Sequence, residues 1–185
     1  TLNNTSKVIE FKASNFSKKN LSTIKNFQKL VKDNGDDGLR TISSILGEKS
    51  LNSFKVKKSE FKTSEKLVND ELKNAILVAY SNIKKYHEKQ LNGLSITTTE
   101  TTKGISLWSD FKPIDTIGLY VPGGTAPLFS SLLMQAIPAI IAGCKNIIIC
   151  TPPDKNGKIN PTILWTAKLL GIENIFKVGG SQAIF

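Results

Sequence analysis

The chain has 185 residues, 39% of them hydrophobic and 22% charged, and a formal net charge of +10. That is long enough to bury a core, and the composition is ordinary for a globular protein. It excludes a bilayer-spanning helix, a secretory signal at the visible start and a disulfide framework: the longest apolar run, Leu132–Cys144, is interrupted by Gln135, Pro138 and Gly143, the opening residues have no continuous apolar core, and there are two cysteines.

Residues 1–20 read as a polar arm carrying Phe11 and Phe16. From Leu21, apolar positions Leu21, Ile24, Phe27, Leu30 and Val31 recur at helical spacing, and the turn residues Asp33–Asp37 stop that helix and cap another near Gly38–Leu46. Residues 47–58 read as a polar connector, with a helix entered near Lys57–Phe61. Asn69-Asp70 opens the clearest helix, with Leu72, Ala75, Ile76, Ala79, Ile83 and Tyr86 on one face and lysines on the rest. His87, the single histidine, stands near the end of that helix and reads as a surface or packing residue.

Leu94–Thr102 is rich in β-branched residues and reads as extended, as do Gly104–Trp108 and Asp115–Val121. We place a division near residue 105: a helical first segment, 1–104, leads into an α/β segment, 105–185. The lysine excess sits in the first, with 19 Lys and Arg against 11 Asp and Glu, while 105–185 holds 6 against 4. The lysines are scattered and Arg40 is the sole arginine, whereas nucleic-acid readers use arginine forks and clustered stripes. We therefore expect no nucleic-acid partner, no membrane partner and a cytoplasmic location.

In the second segment, strands and helices alternate in the order of a Rossmann-like parallel βαβ sheet, whose sites lie beyond the carboxyl ends of its strands. Two Gly-Gly turns, Gly123-Gly124 and Gly179-Gly180, fall at such ends. Glycines there admit unusual backbone angles and close approach of a ligand, and Thr125 can cap the helix that follows. This is not the GxGxxG fingerprint, so a tight connection with no ligand explains the first turn equally well. Gln182 offers donors and an acceptor at the second turn, or simply caps a helix start. Asn160-Pro161 marks a helix start, and Gly143 and Gly171 sit where helix ends need left-handed geometry. Trp165 and Phe176 read as core or domain-contact residues. Cys144 and Cys150 read as small buried apolar residues. The last residues, Ser181–Phe185, look like the beginning of a helix without its continuation, so we expect the chain to be incomplete at its carboxyl end.

The segments GLYVPGGTAPLFSSLLM, PAIIAGCKNIIICTPP and KVGGSQAI together resemble the amino-terminal half of the histidinol dehydrogenase family. The likeness is dense over Trp108–Phe185 and thinner over Asp33–Tyr86, and the Lys/Asn-rich first hundred residues depart from the family's usual pattern. The resemblance implies an aldehyde-dehydrogenase-like α/β fold and a cytoplasmic homodimer of histidine biosynthesis. It implies an enzyme that takes L-histidinol to L-histidine in two NAD-dependent steps with a bound zinc ion. Residue by residue, it gives Tyr120 and Gln182 as NAD contacts. In the family the Glu-His acid–base pair and the zinc ligands lie beyond the GGSQ turn, so we expect no catalytic and no metal-ligating residue in this chain, and no activity from it alone. Two other readings stay open. One is a non-catalytic nucleotide- or anion-binding α/β module; the other is a different NAD-linked aldehyde-oxidising enzyme, which needs a nucleophilic cysteine.

Overall fold

The computed structural model describes residues 18–94, 96–123 and 126–185. The arm with Phe11 and Phe16, together with Gly124 and Thr125 of the first turn, lies outside the described residues. The first helix, α1 (Lys18–Ile45), breaks at Gly35, whose φ of 54° and ψ of −126° are not helical. The stop expected at Asp33–Asp37 is this break. Gly38 then passes so close to the Leu30 carbonyl that a Cβ would stand 2.2 Å from its oxygen, which lets the two halves of α1 fold against each other.

The connector after α1 is less polar than its composition suggests. Phe54 and Val56 are buried while Lys55 between them is exposed, the alternation of an extended strand. Arg40 anchors it, donating to the Leu51 and Asn52 carbonyls at 3.1 and 3.2 Å and lying over the Phe54 ring. Helix α2 (Lys58–Leu67) starts in a capping box in which Glu60 accepts from the Lys57 N–H at 3.0 Å. Helix α3 (Asp70–Asn92) is capped by Asn69, whose side chain accepts from the Leu72 N–H at 2.8 Å. Ile76 is the buried centre of its apolar face, with Leu72, Ala79, Tyr80 and Ile83 beside it. Ala75 and Tyr86, expected on that face, are exposed.

A hairpin of β1 (Thr99–Thr102) and β2 (Ile105–Leu107) turns at Gly104, whose φ is 85°, and both strands are exposed throughout. Beyond it come β3 (Thr116–Tyr120), α4 (Phe129–Ile141), β4 (Asn146–Cys150), α5 (Pro161–Leu169), β5 (Ile175–Phe176) and a 3-10 turn, Ser181–Ala183. The three strands pair in parallel in the order β3-β4-β5, which is the α/β class expected. The connector adds an antiparallel bridge on the far side of β5: Val56 N–H donates to Ile175 O at 2.9 Å and Lys177 N–H to Phe54 O at 2.7 Å.

The strand pleat sorts the side chains. Ile117, Leu119, Val121, Ile147, Ile149 and Ile175 pack into the main core under α4 and α5. Tyr120, Cys150 and Phe176, which are register partners across the sheet, belong to the opposite face. Helix α4 is apolar on two sides: Leu132, Ala136 and Ala139 enter the sheet core, while Leu133 and Ile137 meet Ile76 of α3. Helix α5 begins as expected, with the Asn160 side chain accepting from Thr162 N–H at 2.9 Å and Pro161 in the first turn. Gly143 and Gly171, at φ 91° and 73°, close α4 and α5. Among the described residues, no helix is long and apolar enough to cross a membrane.

Candidate functional site

The carboxyl ends of β3, β4 and β5 lie side by side, and each runs directly into one of the motifs singled out in the sequence. Tyr120 ends β3, Cys150 leads into Thr151-Pro152-Pro153, and Phe176 leads into Lys177-Val178-Gly179-Gly180. The Tyr120 hydroxyl accepts a hydrogen bond from the Gly180 N–H at 3.0 Å, across 60 residues of sequence. Its carbonyl accepts from Gln135 Nε2 of α4 at 3.3 Å. The phenolic O–H thereby remains able to donate to an incoming acceptor.

Gln182 lies in the 3-10 turn and is buried, at 8% exposure. Its amide rests against the Gly180 backbone so closely that a Cβ at Gly180 would stand 2.7 Å from Oε1. Gly180 also has φ 67°, so glycine is required there twice over. The structure thus brings the two sequence-predicted residues, Tyr120 and Gln182, together around one glycine, Gly180.

The other glycines of these turns have a different reason. Neither Gly123 nor Gly179 has a positive φ. Instead, a Cβ on either would stand 2.4 Å from the Pro152 ring, which is wedged between the two turns. Their smallness admits a proline before it admits any ligand. Pro152 was visible in the CTPP segment, but nothing local indicated that it would touch residues 29 and 27 positions away. Helix α4 begins at Phe129 with Leu128 at its N-cap and no side-chain cap; Thr125, the expected cap, lies outside the described residues. Pro127 disfavours helical angles at Ala126 and delays the helix.

The second turn is pinned from three sides. Lys177 Nζ pairs with Glu60 of α2 at 2.7 Å and donates to Gly157 O at 3.1 Å, with its side chain only 11% exposed. Its backbone N–H meets the connector, and the 3-10 turn packs against α1. In the loop after β4, Asp154 Oδ1 accepts from the N–H groups of Lys158 and Asn156, which hold its carboxyl below the usual aspartate value.

Between α2, the first turn and the start of α5 opens a cleft of about 580 Å³. Its floor is Pro122-Gly123 and Pro152-Pro153, and Thr63 and Leu67 of α2 form one wall. Cys144 and Cys150 are half-buried free thiols; Cys144 packs on the core, and burial pushes the Cys150 thiol above its ordinary value. A thiol held protonated is a poor nucleophile. His87 lies remote on α3, its Nδ1 2.7 Å from Gln90 Oε1. Among the described residues, no three His, Cys, Asp or Glu side chains come together as a metal site.

Comparison with known proteins gives a consistent result. The family model for histidinol dehydrogenase matches residues 11–185. Histidinol dehydrogenase of Bacteroides fragilis strain YCH46 is 47% identical over 163 residues, covering 88% of this chain and 37% of its own length. That of Buchnera aphidicola subsp. Diuraphis noxia is 42% identical over 162 residues, and there the match covers 78% of the relative. The crystal structure of histidinol dehydrogenase from Elizabethkingia anophelis superposes with a TM-score of 0.84 at 44% identity, over 89% of this chain and 37% of that one.

Proposed function

The chain belongs to the histidinol dehydrogenase family, and from that premise we propose that it is the amino-terminal, cofactor-facing part of an enzyme that oxidises L-histidinol to L-histidine in two NAD-dependent steps. The chain spans 37% of the length of the Bacteroides relative, so the activity belongs to a larger assembly than these residues. The observation that carries the reading is the hydrogen bond from Gly180 N–H to the Tyr120 hydroxyl, with Gln182 buried beside it. It makes one site of the two turns. Tyr120 contributes an O–H donor and Gln182 an amide, both suited to ribose, phosphate or carboxamide oxygens of a dinucleotide.

The residues present fit NAD and do not fit zinc. Among the described residues, two half-buried cysteines and a remote histidine make no tetrahedral set. In this reading the zinc ligands and the acid–base pair belong to the segment that longer relatives carry, the enzyme is a cytoplasmic homodimer, and this chain supplies binding alone. NAD, when bound, supplies the hydride acceptor. Tyr120 and Gln182 orient it, and Pro152 fixes the distance between their turns. Binding without a positioned base leaves the chemical barrier where it was.

The test is NADH formation from L-histidinol, first with this chain and then after adding a separately expressed carboxyl-terminal segment of a longer relative. Activity from the mixture alone is expected. Activity from the chain by itself would overturn the division of labour. A mixture that binds NAD yet never oxidises histidinol would favour the non-catalytic binding module.

A further inference from the structure

We propose that Lys177 is a positioning residue for the second Gly-Gly turn: its ammonium, seated between Glu60 of α2 and the Gly157 carbonyl, sets where Gly180 and Gln182 meet NAD. This inference rests on the NAD reading of Tyr120 and Gln182. It adds a role for α2, which belongs to the helical segment, in holding the turn that binds the cofactor.

The turn needs an anchor from outside itself. Strand β5 has two residues, and at its end the Phe176 carbonyl accepts from the Thr151 N–H at 3.1 Å. Two glycines follow soon after, and Gly180 takes a φ of 67°, so the backbone there has wide conformational freedom. Lys177 stands where the ladder ends and that freedom begins. Its N–H donates to Phe54 O at 2.7 Å, and its Nζ lies 2.7 Å from Glu60 Oε1 and donates to Gly157 O at 3.1 Å. The connector, α2 and the loop after β4 thus converge on one residue just ahead of Gly179-Gly180.

The pair differs from a surface salt bridge. Its side chains are 11% and 24% exposed, whereas the Lys168–Glu65 pair, which also ties α2 to the α/β segment, is about half exposed on both sides. Enclosed ion pairs add little net stability over apolar packing, because both charges must first lose their water. What this one adds is direction. Glu60 is itself fixed, its Oε2 accepting from the Lys57 N–H at 3.0 Å at the start of α2. The ammonium must point at Glu60 and at Gly157 together, which restricts where the Lys177 backbone can lie. Asp154, the other carboxylate beside that loop, is taken up by the N–H groups of Asn156 and Lys158. Such placement matters because a misplacement of about 1 Å, even from a remote mutation, can slow a reaction about a hundredfold.

Amide hydrogen exchange in the full chain, followed by NMR, tests the positioning directly, because the Gly180 N–H reports its bond to the Tyr120 hydroxyl. Lys177→Met keeps the length and removes the charge; Glu60→Gln removes the opposite charge and retains a side chain that serves in a capping box. Each should speed Gly180 exchange about tenfold, as a turn without its anchor opens locally. The buried Ile149 N–H, bonded to Asn174 O at 2.9 Å, should exchange as in the parent chain. In the enzyme complemented with the carboxyl-terminal segment, both variants should raise the KM for NAD several-fold and leave the KM for L-histidinol unchanged. If Lys177→Met does not fold, Glu60→Gln decides alone. Unchanged Gly180 exchange, Gly180 and Ile149 speeding up together, or loss of the fold in both variants would overturn the proposal. Faster Gly180 exchange with an unaltered KM for NAD would overturn it too. In that case the NAD reading survives if Tyr120→Phe and Gln182→Ala still raise this KM, and falls if they do not. If the mixture yields no NADH, the dehydrogenase reading falls, and the exchange measurements still decide whether Lys177 places the turn.

Discussion

Tyr120 accepts one hydrogen bond with its hydroxyl and keeps one to give, which predicts a graded response to mutation. Tyr120→Phe loses the Gly180 contact and the donor, at about 0.5–1.5 kcal/mol for one neutral hydrogen bond. We expect the KM for NAD to rise several-fold in the complemented enzyme, with a larger rise for Gln182→Ala. Unchanged kinetics in both would remove these residues from the site. At Pro152 the expectation concerns stability. Gly179→Ala drives a methyl into the ring and should cost about 1–3 kcal/mol in a denaturant titration, as overpacking does. Pro152→Ala should recover much of that loss in the double variant; strict additivity would show that the two residues do not meet. Asp154 has its folded-state pKa lowered by two N–H donors. Its contribution is therefore present above the ordinary value of 3.8 and fades as pH falls through the lowered one. Asp154 is exposed, so screening keeps that contribution small. Asp154→Asn should make the acid limb of stability slightly less steep, and an identical limb would contradict this.

Among the elements, what could be read from the sequence was local and what could not was remote. Asn69 and Asn160 announce α3 and α5 because a cap and the N–H it satisfies lie within three residues of each other. Asn160→Ala should cost about 1 kcal/mol, measurable by chemical denaturation, since the Thr162 N–H loses its acceptor inside a packed helix. The left-handed glycines closing α4 and α5 were legible for the same reason. The connector was not, because Phe54 and Val56 are surrounded by Ser, Lys and Asn and find their backbone partners at Lys177 and Ile175, far along the chain. Tyr86 is exposed although its spacing puts it on the apolar face of α3, because helical spacing alone does not say how far along the helix its neighbour reaches. The candidate site divides likewise: the resemblance supplied Tyr120 and Gln182, but their junction at Gly180 and the wedge of Pro152 needed the folded sheet.

On the scale of the molecule, apolar surface is concentrated after α3. Ile105, Leu107, Trp108, Phe111 and Ile114 are each more than half exposed, along the second strand of the hairpin and the segment that follows it. A strip of this kind promotes association. Trp108→Ser with Phe111→Ser should lower the aggregated fraction in sedimentation without lowering the melting temperature; a lower melting temperature would show that these residues support the fold itself. The antiparallel bridge between Lys55 and Phe176 has a consequence in time as well as in space. A chain made from its amino end has synthesised α1, α2 and α3 long before Ile175 exists to accept the Val56 N–H. Until then the connector has no edge to lie on, Lys177 is not there to hold Glu60, and closing so long a loop carries its entropic cost late. Ile175 and Lys177, made later, thus fix parts that were laid down first.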